Sequence, residues 1–398
     1  MKITDVDIVP VAVPLDLFGN YEPVTMWYAT RYASKHAVVF IKTDEGITGL
    51  GTCNIHGAVP GDTSESLLHL FKQKLIGQDP FNIRKIEDLT KRISAGRRPD
   101  AVAAVDCACY DIMGKAAGVP VYKLLGGKVH DKVRVEFWEC CKSPEAIAAD
   151  IKRAIELGWN AFKVKIGTDP PTDILRVKAA REAAGDGIEL GFDVNDAYTV
   201  PTAIRTIKKM EKYDPSYIEQ PTPSWDIDGL AEVKAHVDVP IVCHSFYVTK
   251  DKRSTLELVE KNAADMLNIN PDYMGSLLYC QEIAAIAEAG GIIAKGQSSC
   301  AELGPANAGL LHLVASTPAF STTNQNSAHH LEKSGDVITK PFKTIEGCIN
   351  VPEEPGLGVE IDKEKLDQYH EAWVKGLYTH EPGLGRADIY YWNMAHRV

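Results

Sequence analysis

The chain has 398 residues, 45% of them hydrophobic, with a formal net charge of −11 and no basic run. That balance argues against a surface built for nucleic acid or anionic lipid. No apolar stretch approaches the roughly 20 residues that cross a bilayer. The first residues lack the apolar core of a signal peptide, and nine cysteines, an odd count without zinc-site spacing, suit reduced thiols. A cytoplasmic protein is therefore expected, and at this length two domains rather than one core.

In chain order, residues 2–11 and 36–51 read as antiparallel strands, with a turn at Asp44-Glu45-Gly46. Helices are expected over 64–75, 83–92 and 100–118. The segment 143–155 opens with a serine at the cap position and Pro144 at the first helical position, then shows apolar residues at helical spacing. Residues 173–184, 203–213 and 277–289 repeat that pattern. After residue 346 strand character returns around Cys348 and over 355–361.

Phe162-Lys163-Val164-Lys165-Ile166-Gly167 is the richest stretch. Alternate strand residues face one way, so Lys163 and Lys165 project together. Two ammonium groups in one pocket repel, which lowers each pKa toward that of a usable base. On an edge strand the same pair would simply face solvent. Here Ala161, Phe162, Val164 and Ile166 leave the rest of the strand apolar, as in a sheet covered by helices. Further short apolar strands end at Asp193, Glu219, His244, Asn270 and Gln297. Counted from Lys165, these polar ends fall 28, 26, 25, 26 and 27 residues apart. Each interval is one strand plus one helix, the period of consecutive βα units. In a (β/α) barrel such ends converge on one mouth, where catalytic groups sit.

The Lys-x-Lys strand, the acids at Asp193 and Glu219, and the flanking α+β segment resemble the enolase superfamily, in its mandelate racemase and muconate lactonizing group. Residues 100–127 and the glycines of Pro355-Gly356-Leu357-Gly358 are also similar to that group. The resemblance implies a modified (β/α)8 barrel, TIM-like with irregular last units, over residues 128–345. An α+β capping domain would come from residues 1–127, with 346–398 returning to it. It implies abstraction of a proton α to a carboxylate, with the dianionic enediolate held by one Mg²⁺ per active site. Asp193 and Glu219 match two of three metal ligands, Lys165 the base, and Lys163 its partner, which contacts the substrate carboxylate or metal-bound oxygen. Asn195, Asn270 and Gln297 are expected to contact substrate. The lids would be 17–31, with Tyr21, Trp27, Tyr28 and Arg31, and 52–57, with Asn54 and His56. Tyr28 and Asn54 are the substrate contacts named there, although the aromatics suit packing equally. Members of the group are often dimers or octamers, so a homo-oligomer is expected.

Three positions depart from the pattern. The third, normally acidic, ligand position is His244, read either as a nitrogen ligand or as a hydrogen-bonded pocket residue. The sixth-strand lysine or aspartate is Asn270. The seventh-strand histidine of the racemase-like dyad is absent. With no base opposite Lys165, a dehydration of a hydroxylated (sugar) acid is expected, a lyase reaction. An epimerase or cycloisomerase would use Asp272 or Glu302 as second acid, although Glu302 also suits a helix start. A family member surviving only as a ligand-binding protein is the third expectation.

Overall fold

The computed structural model describes residues 1–27, 29–55, 63–95, 98–244, 251–299, 301–378 and 381–382. Tyr28 and His56 lie outside the described residues. Strand β1 (Ile3–Pro14) pairs antiparallel with β2 (Ala33–Thr43), which pairs with β3 (Thr48–Asn54) across the expected turn. Helix α1 (Pro99–Ala117) lies directly on β3. Glycine permits that approach: a Cβ at Gly51 would stand 2.0 Å from Ala104 O, and one at Gly49 2.0 Å from Ala108 O. Val6, Ala37, Val39 and Ile41 of the sheet and Ala104, Ala108 and Ile112 of the helix belong to one buried cluster.

Eight strands form the barrel. β4 (Lys132–Glu139), β5 (Ala161–Lys165), β6 (Glu189–Asp193), β7 (Tyr217–Glu219), β8 (Ile241–Cys243), β9 (Met266–Ile269) and β10 (Ile293–Gly296) are parallel neighbours in that order. β11 (Asn324–Gln325) pairs with β4, and a Gln297–Gln325 bridge joins the two ends of the ring. Helices separate the successive strands. The one after β4 covers Pro144–Glu156; Ser143 caps it by accepting from the Ala146 N–H, and Ile147, Ile151 and Ala154 are its buried face. Phe162, Phe192, Ile218, Ile241, Leu267 and Ala294 fill the layer between strands and helices. The expected (β/α) barrel with a capping α+β unit is the fold observed.

The C-terminal segment divides its contacts. β12 (Cys348–Asn350) pairs antiparallel with barrel strand β4, whereas the helix Lys363–Val374 packs on β1 of the capping sheet. The stretch 355–361, read as a strand, makes only isolated bridges at Gly356 and Ile361. Gly356 and Gly358 adopt φ of +78° and +69°, which breaks an extended run. The described cysteines are free thiols, and among the described residues no helix is long and apolar enough to cross a membrane.

Candidate active site

Parallel register sets Lys165 opposite Asp193, and Asp193 opposite Glu219, at three adjacent strand ends. All four charged side chains meet in the barrel. Lys163 Nζ lies 2.6 Å from Glu219 Oε2 and 3.2 Å from Asp193 Oδ2. Lys165 Nζ donates to Asp193 Oδ2 at 2.5 Å and to Asn195 Oδ1 at 2.9 Å. Lys163, Asp193 and Glu219 are fully buried, and Lys165 is nearly so. Lys163 is thus the buried ion partner of Glu219 Oε2, and Glu219 Oε1 is buried without a hydrogen-bond donor among the described residues.

The acids reverse the expected sign for Lys163. Burial alone would lower its pKa, but Glu219 and Asp193 outweigh burial and raise it above the ordinary lysine value. The expectation of a depressed pKa counted only the repulsion between two ammonium groups. Burial would raise the Asp193 carboxyl, yet Lys165 and Lys163 hold it below the ordinary range. For Glu219, burial and the neighbouring Asp193 charge prevail over Lys163, and its pKa rises to about 7.

His244 lies just past β8. Its backbone N–H donates to Gln220 Oε1 at 2.8 Å, and its Nε2 sits 3.0 Å from the Gln297 amide nitrogen and 3.9 Å from Glu219 Oε1. Burial drives its pKa down to about 3, so the ring is neutral and Nε2 accepts from Gln297. Asn270, just past β9, donates to Ser299 Oγ at 3.0 Å and caps the short helix Pro271–Met274 through the Asp272 N–H. Asn195 lies in the left-handed region, φ +48°, and its carbonyl accepts from Trp27 Nε1 at 3.0 Å. The N-terminal loop thus reaches the barrel beside Lys165.

Asp272 and Glu302 stand apart from the lysines. They hydrogen-bond one another, and burial raises both carboxyls above the ordinary range. Asn54 and Ser299 also donate to Glu302. A cavity between capping sheet and barrel is lined by Thr52, Asn270, Asp272, Gln297, Ser298 and Glu302, among others. Three residues touching the site were not read from the sequence. Gln325 of the two-residue strand β11 accepts from Lys163 at 2.6 Å. Trp138 of β4 places its ring 5.3 Å from Lys165 Nζ. His36 of β2 lies 2.9 Å from Glu302 Oε2. The Phe137-Trp138 pair in an alternating stretch was the available signal for β4; a pairing across 266 residues carries none.

Among the described residues no three His, Cys, Asp or Glu side chains form a ready metal centre. The donor set nevertheless fits a hard divalent cation. Two carboxylates stand side by side, Glu219 Oε1 is buried without a hydrogen-bond donor among the described residues, and burial keeps His244 neutral.

Residues 8–126 match the mandelate racemase/muconate lactonizing enzyme N-terminal domain, and residues 146–365 match the enolase C-terminal domain-like family. The chain is 30% identical to N-succinyl-L-Arg/Lys racemase from Bacillus cereus, over 92% of this chain and 98% of that protein. It is 31% identical to D-galactonate dehydratase from Ralstonia pickettii, over 86% and 94%. The structure of dipeptide epimerase from Enterococcus faecalis, complexed with Mg and the dipeptide L-Leu-L-Tyr, superposes with a TM-score of 0.81 at 31% identity, covering 90% of this chain and all of that one.

Proposed function

This chain belongs to the mandelate racemase/muconate lactonizing enzyme family of the enolase superfamily, and from that premise we propose that it dehydrates a small hydroxylated carboxylic acid, a sugar acid by class. The observation that carries this reading is the asymmetry of the barrel mouth. Lys165 stands on one side as a base, whereas the sixth-strand end is Asn270, an amide that is neither an acid nor a base near neutral pH. Beside Asn270 are Asp272 and Glu302, whose raised carboxyls are proton donors rather than bases.

Asp193 and Glu219 would hold one Mg²⁺, with His244 as the third donor. Bound there, the ion supplies positive charge where negative charge develops on the substrate carboxylate. Lys163 adds a second cation for that carboxylate. Lys165 takes the α-proton, its Nζ held in place by Asp193 and Asn195. Asn195 and Trp138 position its amine end. The electron pair left at the α-carbon then expels the β-hydroxyl, which leaves as water with a proton from Asp272. The resulting enol takes a solvent proton at C3 and becomes a 2-keto acid. Gln297 and Asn54, and Tyr28 from the sequence, are the further substrate contacts we assign. Likeness to a D-galactonate dehydratase supports the substrate class. The free thiols and net negative charge support a cytoplasmic protein, and the family resemblance supports a homo-oligomer, dimer or octamer.

Epimerisation is the second reading, favoured by likeness to a racemase and a dipeptide epimerase. It requires Asp272 or Glu302 to return a proton to the opposite face. A panel of sugar acids with Mg²⁺ separates the two: a 2-keto product supports dehydration, and inversion at the α-carbon without keto product supports epimerisation. Neither outcome across the panel would overturn both.

A further inference from the structure

The inference deepens the dehydration reading and concerns what keeps its proton donor protonated. It starts from Ser34 on β2. Ser34 Oγ lies 2.6 Å from the Ala301 carbonyl oxygen and 2.8 Å from His36 Nδ1. A hydroxyl carries one proton, and two oxygens that close require it between them. Ser34 can therefore only accept from His36, which places the ring proton on Nδ1. His36 is fully buried, and burial outweighs the nearby Asp272, Asp336 and Asp100 charges to lower its pKa to about 4, which favours a neutral ring with no proton on Nε2. Glu302 Oε2 lies 2.9 Å from that bare nitrogen. With the ring neutral, the proton in this contact belongs to Glu302.

The order then passes to Asp272. Asp272 donates a hydrogen bond to Glu302, which also accepts from Ser299 and Asn54. Two carboxyls cannot share a hydrogen bond without a proton, and Glu302 has committed its own to His36. Asp272 must hold a second. The result is one directed chain: Asp272 to Glu302, Glu302 to His36, His36 to Ser34, Ser34 to the Ala301 carbonyl. The charged groups acting on it from neighbouring elements are Asp100 at the start of α1, Asp336, and Arg31 ahead of β2. Asp100 opposes ionisation of Glu302, while Asp100 and Asp336 also favour a charged His36, against which burial of the ring prevails.

We propose that His36, fixed as the Nδ1–H tautomer by Ser34, is a positioning residue that keeps Glu302, and through it Asp272, as neutral acids facing the barrel mouth. The capping sheet thereby sets the protonation of the group that would donate to the leaving hydroxyl.

The test reads protonation directly, with neither substrate nor metal present. Infrared spectra of the full-length protein with ¹³C-labelled Asp or Glu, at pH 7, report protonated carboxyl C=O bands. Those of Asp272 and Glu302 are assigned by their disappearance in Asp272→Asn and Glu302→Gln. Wild type should show both. Ser34→Ala removes the acceptor for Nδ1–H, frees the other tautomer to donate to Glu302, and should lose the Glu302 band. Ser34→Thr, which keeps a hydroxyl, should retain it. Absence of both bands in the wild type, or their persistence in Ser34→Ala, overturns the proposal. A protein with both bands that dehydrates nothing leaves this chain standing and removes the dehydration reading. A dehydratase without the bands does the reverse.

Discussion

Replacing Lys165 with methionine keeps most of the side-chain volume and removes the charge. The lysine is buried and donates to Asp193 Oδ2 at 2.5 Å and Asn195 Oδ1 at 2.9 Å. Deleting one partner of a buried ion pair costs about 3–5 kcal/mol when the other ion is left unpaired. Asp193 would not be unpaired: Lys163 Nζ stays 3.2 Å from the same oxygen, and the Asn195 N–H holds Oδ1 at 2.9 Å. The loss of stability should stay nearer the ~1.5–3 kcal/mol of one hydrogen bond to a charged group. The variant should fold. Loss of a positioned base costs about 10²–10⁴-fold in rate, so α-proton exchange should fall by that much. Mg²⁺ binding should persist or tighten, because an ammonium competing for Asp193 is gone. Deuterium wash-in at the α-carbon, followed by NMR beside Mg²⁺ calorimetry, measures both. Exchange at the wild-type rate with Mg²⁺ still bound would refute Lys165 as the base.

His244→Asp exchanges a neutral nitrogen for an anionic oxygen, which suits Mg²⁺ better, so affinity should rise by about tenfold, or ~1.4 kcal/mol; unchanged affinity in calorimetry would make His244 a pocket residue rather than a ligand. Gly51→Ala drives a Cβ to 2.0 Å from Ala104 O on the packed helix; because backbone must move, about 3 kcal/mol should be lost, and an unchanged urea midpoint would contradict that packing. His312 is buried beside the Leu357 carbonyl, and burial lowers its pKa to about 4. A folded pKa below the unfolded ~6.5 gives stability that is present above that value and lost as pH falls toward the folded one, by about 1.4 kcal/mol per pH unit. His312→Gln should therefore lose less stability than wild type between pH 6.5 and 5, and parallel curves would sink the argument.

The βα period was legible because every unit repeats the same geometry: a short apolar strand, a polar end and an amphipathic helix. Lys165, Asp193 and Glu219 end their strands, and His244, Asn270 and Gln297 follow theirs by one residue. Partners across the barrel were not legible. Lys163 and Gln325 are 162 residues apart, and β11 is two residues of Asn and Gln with no strand signature. His36 looked like any residue of a capping strand, since its meaning depends on Ser34, Ala301 and Glu302 meeting across the domain boundary. The sign of the Lys163 shift was misread for the same reason: the repulsion is local, while the acids that outweigh it arrive from the next two strands.

The most direct test of the central claim is product analysis in D₂O, with the wild-type protein, Mg²⁺ and a panel of sugar acids, read by NMR. Dehydration with Lys165 as base predicts a 2-keto acid carrying one solvent deuterium at C3, and no such product from Lys165→Met. Recovery of the starting acid with deuterium at its α-carbon, partly inverted and without keto product, would contradict the claim and assign the enzyme to epimerisation.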